Sequence, residues 1–232
     1  QAVGAGDFER AWRSLGATLR TILIAWVPTV LVALLATLGL PAIGVGAPVV
    51  LRTREFLIAW APGLLAFPCF IAAKTFLQAH GRTRPALVAA IVANVVNLVA
   101  CSVLVRGDDA LVAIGLRPLG LPRLGALGSG IALSIASLLL AGMVLRAAFA
   151  MRPATSGRVA HVSRAEVFRV GLPVGLQMLA EVGVFAFVSV LTGHFGSAVV
   201  SANQIALGLA SFTFMGALGV SGATAVRVGH AF

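Results

Sequence analysis

The sequence predicts an all-α, polytopic membrane protein with six transmembrane helices. Three observations carry that prediction. Apolar residues make up 59% of the chain and charged residues 10%, with a mean hydropathy of +1.04. Soluble domains are about a quarter charged, so this chain has too little polar surface to face water. Runs of about 20 apolar residues, enough to cross a hydrocarbon core of roughly 30 Å, recur along its length. Basic residues are dense in alternate connections between those runs.

The helices follow in order. A charge-free run at 21–51 supplies helix 1 at about 21–40, then ends in PAIGVGAP, whose prolines and glycines make a loop. The run 56–73 gives helix 2 at about 56–76, with Lys74 at its end placed to snorkel to the cytoplasmic interface. Runs 85–105 and 124–145 give helix 3 at about 86–105 and helix 4 at about 124–146. A fifth run begins at Val170 and is interrupted only by Glu181. From 182 to 226 there is no Asp, Glu, Lys or Arg, which is too long for one helix. TGHFGSA, 192–198, offers glycines and polar atoms for a turn, so the run splits into helix 5 at about 170–191 and helix 6 at about 199–226.

The longest polar connection, 151–169, reads as a cytoplasmic linker between two bundles, residues 1–150 and 170–232. Twelve of the 17 basic residues precede helix 1, join helices 2 and 3, join 4 and 5, or follow 6. The opposite side carries Arg52, Arg54, Arg106, Arg117 and Arg123. The positive-inside rule therefore places both ends of the chain in the cytoplasm. It also accounts for the +10 net charge: arginines at helix ends face headgroups, and no basic groove with interleaved aromatics points to nucleic acid. The first twenty residues hold Asp7, Glu9, Arg10, Arg13 and Arg20, which is no signal peptide. Residue 1 is Gln1, and the simplest expectation is a piece of a longer polypeptide. Cys69 and Cys101 both lie in apolar runs and read as small fillers, not as a disulfide.

Polar atoms at membrane depth are the expensive ones, and they carry the functional reading. Glu181 is the only carboxylate inside a predicted span, about 16 Å down helix 5 by helical rise. A charged carboxylate there costs on the order of 3 kcal/mol, so it points to a cation or proton site. The plainer reading is a carboxyl bonded to a neighbouring helix. Gln177, four residues earlier, shares its face and is equally well explained as a site residue or as interhelical glue. Asn94 and Asn97 stand mid-way along helix 3, suited either to ligate a cation or to tie helices. Thr29, Ser134 and Ser137 fall at the same level, and Pro28, Pro62 and Pro68 free backbone carbonyls in helices 1 and 2. Asn203 and Gln204 lie only a turn into helix 6, so they read as lining or gate residues; the level of Glu181 is nearer Ser211 and Thr213. The small-residue patches GALGSGIA and GALGVSGATA indicate close helix packing.

Enzyme chemistry is not expected. His80, His161, His194 and His230 are scattered, Asp108–Asp109 lacks further carboxylates, and no glycine loop continues into GK[ST]. No catalytic residue and no cofactor is expected.

Four stretches stand out together: FLQAHGRTRPALV at 76–88, LGALGSGIALSIA at 124–136, GLPVGLQMLAEVGVF at 171–185, and ANQIALGLASFTFMGALGVSGATAVRVGHAF at 202–232. They resemble the MATE (multidrug and toxic compound extrusion) family, of the NorM type. The resemblance runs in order through essentially the whole chain. It implies helices 3 to 8 of a two-lobe, twelve-helix transporter, with the rest of the same polypeptide as a missing partner. It further implies a secondary antiporter in the bacterial inner membrane, exporting amphipathic or cationic small molecules in exchange for sodium ions or protons. Glu181 and Gln177 would belong to the C-lobe cation and substrate pocket, any bound sodium lying at Glu181. Asn97 matches the family's helix 5 asparagine, but Cys101 stands where many members have a second one. A thiol is a poor ligand for sodium, which counts against a sodium site in the N-lobe. A lipid-linked oligosaccharide flippase of the same superfamily would be expected to carry arginines mid-span, and this chain has none. A non-transporting membrane subunit or truncated remnant is the other alternative. Membrane lipids are the remaining expected partner.

Overall fold

The computed structural model describes residues 8–113, 115, 117–152, 164–193 and 195–231. QAVGAGD, most of the expected linker, His161, His194 and Phe232 lie outside them. The elements, in order, are α1 (Phe8–Ala36), a 3₁₀ turn (Leu40–Ile43), α2 (Ala47–Ala79), α3 (Arg84–Arg106), a short α4 (Asp108–Ala113), α5 (Ala126–Phe149), α6 (Arg164–Gly193) and α7 (Ser197–Ala231). Among the described residues there is no strand, and six helices are long and apolar enough to cross a membrane. The all-α, six-span architecture is thus present.

The helices outrun the apolar runs at their ends. α1 begins at Phe8, thirteen residues before the expected start, because Arg10, Arg13 and Arg20 end an apolar run without breaking a helix. α2 begins at Ala47, with Pro48 in its first turn where its missing N–H costs nothing. It also ends beyond the expected position, at Ala79, so Lys74 is inside it, its ammonium 5.8 Å from the Phe70 ring centroid. Pro28, Pro62 and Pro68 are all accommodated within continuous helices.

The residues fall in two compact units, 11–159 and 160–232 with 1–10. In the first, α5 packs against both α2 and α3. Its sequence explains why it takes the centre. Gly128, Gly130, Ala132, Ser134, Ala136 and Ala141 are all buried, and such small side chains let backbones approach. A Cβ on Gly130 would stand 2.6 Å from the Phe56 carbonyl oxygen of α2, and one on Gly128 2.5 Å from the Leu104 oxygen of α3. α3 answers with Ala86, Ala89 and Ala93, buried at helical spacing.

α1 is tied to this core by long side chains. Trp12 meets Phe76 of α2 and Phe149 of α5 edge-to-face, with centroids 5.7 and 5.4 Å away. Trp26 Nε1 donates to the Ala61 carbonyl at 2.7 Å. Arg54 Nε donates to the buried Thr37 hydroxyl at 2.9 Å, closing the connection between α1 and α2.

The loop from α3 to α5 is built on one carboxylate. Asp108 accepts backbone N–H bonds from Leu119, Gly120 and Leu121 at 3.0, 2.9 and 3.0 Å. Gly107 turns the chain there at φ 59°, and a side chain on it would meet the Leu121 carbonyl. Asp109 pairs with Arg123 at 2.6 Å.

Candidate functional site

α6 and α7 form an antiparallel hairpin closed by a short turn that includes Phe195 and Gly196. A cavity of about 430 Å³ opens in it, lined by Glu181 and Phe185 of α6 and Leu207, Ala210, Ser211 and Phe214 of α7. Glu181 is twelve residues before the end of α6 and Ser211 fourteen residues after the start of α7. Equal helical rise therefore brings carboxylate and hydroxyl to one level. The arrangement offers one carboxyl group, one hydroxyl and an otherwise apolar, aromatic wall. Such a wall with few polar groups is the usual make-up of a small-molecule site.

The other residues singled out from the sequence fall around this cavity or elsewhere. Gln177 is exposed one turn before Glu181 and is not among the cavity-lining residues. Asn203 Nδ2 donates to the Ser189 hydroxyl at 3.4 Å, tying the hairpin near its turn. Gln204 is exposed beside it, and neither residue reaches the cavity wall. Thr213 bonds back to its own helix at the Leu209 carbonyl.

Asn94 and Asn97 stand on α3, in the unit of residues 11–159. Asn94 is exposed and its amide donates to the Ala90 carbonyl of its own helix at 2.9 Å. Asn97 continues the line of Ala86, Ala89 and Ala93 and is half-buried, with no hydrogen-bond partner among the described residues. The structure thus brings Glu181 together with Ser211, and leaves the two asparagines on neighbouring faces of α3, one exposed and one half-buried.

Sequence reasoning missed the apolar wall of the cavity, and it placed Ser134 at membrane depth without identifying its partners. Phe185, Leu207, Ala210 and Phe214 carry no polar signal that would separate them from lipid-facing neighbours. Within the core, Ser134 donates to the Ala59 carbonyl at 2.7 Å and accepts from the Gly63 N–H at 3.3 Å. Those two backbone groups are the ends of a single i to i+4 rung of α2, beside Pro62. The Trp60 indole N–H is buried close by without a partner among the described residues. Pro62 was the available signal, since a proline disturbs the rungs of its own turn. Among the described residues no cluster of His, Cys, Asp or Glu could hold a metal ion.

Six spanning helices with buried small-residue contacts define an all-α integral membrane protein. The family model described as MatE matches residues 1–103 and 173–232, and the chain belongs to that family. It is 31% identical over 239 residues to the probable multidrug resistance protein NorM of Bradyrhizobium diazoefficiens, covering 100% of this chain and 49% of that protein. A protein of the same description from Pseudomonas syringae pv. tomato is 32% identical over 241 residues, covering 98% and 49%. The multidrug resistance protein NorM of Vibrio cholerae is 32% identical over 177 residues, covering 71% and 35%. The chain spans about half the length of the first two.

Proposed function

We propose that the protein to which this chain belongs is a secondary active antiporter. It exports amphipathic or cationic small molecules in exchange for sodium ions or protons. On this reading residues 1–150 belong to the N-terminal lobe, 151–169 link the lobes, and 170–232 begin the C-terminal lobe, with both ends of the chain on the cytoplasmic side. The observation that carries it is Glu181, a lone mid-helix carboxylate on the wall of an aromatic cavity. Membership of the MatE family and the multidrug resistance names of the relatives support it.

The chemistry follows from one charge at membrane depth. A carboxylate there is stabilised by whichever cation reaches it, and it has one negative charge to offer. The coupling ion and a cationic substrate therefore compete for Glu181. Each shifts the conformational equilibrium toward the state it binds best, so binding of one promotes release of the other on the opposite side. Leu207, Ala210 and the rings make the wall apolar, which suits the greasy part of an amphipathic molecule.

The test is Glu181→Gln in the full-length protein, reconstituted into vesicles with an imposed sodium or proton gradient. Gradient-driven dye efflux is expected to fall to the level of empty vesicles, and whichever gradient drives the wild type names the coupling ion. Unchanged efflux in the variant would remove Glu181 from coupling.

A further inference from the structure

The connection between α3 and α5 lies outside every spanning segment, yet it turns apolar side chains outward. Leu119 is 75% exposed, Val112 of α4 58% and Leu121 37%. That exposure is built in. The three N–H bonds to Asp108 fix the backbone of 119–121 and hold Leu119 out from the helices.

The neighbouring contacts give its height. The Leu124 N–H donates to the Leu104 carbonyl at 3.1 Å and the Gly125 N–H to the Val105 carbonyl at 3.4 Å. The end of the connection therefore runs along the last turn of α3. Asp108 is three residues past Val105, where the apolar run stops, which is about 5–10 Å of chain rise. The headgroup layer adds about 5–7 Å to each side of the hydrocarbon. Residues 119–121 are thus held at headgroup level, where an exposed leucine reaches the acyl boundary.

The charges fit the same surface. Asp108 uses its carboxylate on the backbone, and Asp109 pairs with Arg123. Arg106 and Arg117 are exposed and have no ion pair among the described residues. The connection so presents two uncompensated guanidiniums beside leucine side chains, and guanidinium forks suit phosphate oxygens.

We propose that this connection is a lipid-docking surface. Leu119 seats in the acyl boundary of the leaflet on its own side, and Arg106 and Arg117 hold phosphates of anionic lipid there. A protein segment covering the same place would have to bring an apolar pocket and two carboxylates to one edge of the helices. The bilayer already has acyl chains and phosphates at this height. The seat fixes the depth of the ends of α3 and α5 that the connection joins.

The experiment uses the full-length protein with its own cysteines replaced by alanine and Leu119→Cys carrying an environment-sensitive NBD fluorophore. Leu119 is exposed, so the probe removes no packing contact. The protein is reconstituted into vesicles of phosphatidylcholine and phosphatidylglycerol. Nitroxide lipids labelled near the headgroup are expected to quench the probe about twofold more than lipids labelled at the tail end. Aqueous iodide is expected to quench it weakly. Labelled lipids occupy both leaflets, so the result does not depend on which side faces the cytoplasm. With the nitroxide on phosphatidylglycerol, quenching should report about fivefold enrichment over phosphatidylcholine, from about 1 kcal/mol per arginine near an anionic surface. Arg106→Gln together with Arg117→Gln should abolish that enrichment and leave quenching by labelled phosphatidylcholine in place. A probe open to iodide and untouched by lipid labels would overturn the proposal by placing the connection in water. Protection from both quenchers would overturn it by placing the rest of the polypeptide over the leucine. Equal quenching by the two lipid classes in the arginine-containing protein would overturn the role of Arg106 and Arg117.

Discussion

The hydroxyl of Ser134 on α5 sits 2.7 Å from the carbonyl oxygen of Ala59 on α2, and donates to it while accepting from the N–H of Gly63. One side chain thus grips both ends of a single rung of a neighbouring helix. The rung is the neighbour of the one that Pro62 removes, since a proline has no N–H to offer the carbonyl four residues before it, that of Ile58. In hydrocarbon there is no water to satisfy backbone groups beside such a gap, and the hydroxyl from the next helix reinforces the adjacent rung.

Ser134→Ala is therefore expected to destabilise the purified full-length protein by about 0.6–1.7 kcal/mol, the range for interhelical hydrogen bonds in membranes. Ser102→Ala is the control. Its hydroxyl is exposed and bonds only to the Leu98 carbonyl of its own helix. Thermal unfolding should show a lowered midpoint for the Ser134 variant and none for the control. Equal midpoints would remove the bridge as a source of stability.

The loop from α3 to α5 gives a pH-dependent expectation. The N–H bonds from Leu121, and then from Leu119 and Gly120, hold the Asp108 carboxyl below its ordinary value of 3.8, against a smaller upward push from partial desolvation. A carboxyl lowered in the folded state adds stability above its unfolded pKa and loses it as pH falls through the folded one. The loop should therefore be fully held at neutral pH and released only below the ordinary carboxylate range. Asp108→Asn should lower the exchange protection of the Leu119, Gly120 and Leu121 amides roughly three- to tenfold at neutral pH, because a neutral acceptor forms weaker bonds. It should also flatten the dependence of that protection on acid. A variant whose loop still loosens in acid as the wild type does would assign the pH response to another group.

The number, order and type of the spanning helices were legible in the sequence because apolar length against bilayer thickness is a coarse test that this chain passes six times. Their ends were not, because Glu9, Arg13 or Arg52 stops a hydropathy run while favouring helix almost as well as leucine does. The cost of a carboxylate in lipid singled out Glu181, and helical rise gave the level of Ser211. The rings beside them were hidden, since Phe185 facing a cavity and Phe187 facing away from it read alike in an apolar run. The small-residue patches were only partly readable. GALGSGIA sits at true backbone contacts of α5, whereas Gly216, Gly219 and Gly222 of the second patch have no heavy atom within 4 Å of an added Cβ among the described residues. Spacing alone does not say which glycine stripe has a neighbour.

Orientation in the membrane can be checked directly. The connection between α2 and α3 carries Arg82, with Arg84 opening α3, and the one between α3 and α5 carries the acidic pair Asp108 and Asp109 beside Arg117 and Arg123. Basic residues are retained on the cytoplasmic side because moving them outward opposes the membrane potential and the anionic inner leaflet. In a full-length protein with Cys69 and Cys101 replaced by alanine, Arg82→Cys should resist a membrane-impermeant maleimide in intact cells and react after permeabilisation. Asp109→Cys should react in intact cells, since its side chain is exposed and its partner Arg123 is itself at the surface. The two positions are separated by a single spanning helix, so their labelling must be opposite whatever the orientation. The sign of the difference is what the arginine count decides. Labelling of residue 82 from outside and of 109 only after permeabilisation would invert the topology and move both chain ends out of the cytoplasm.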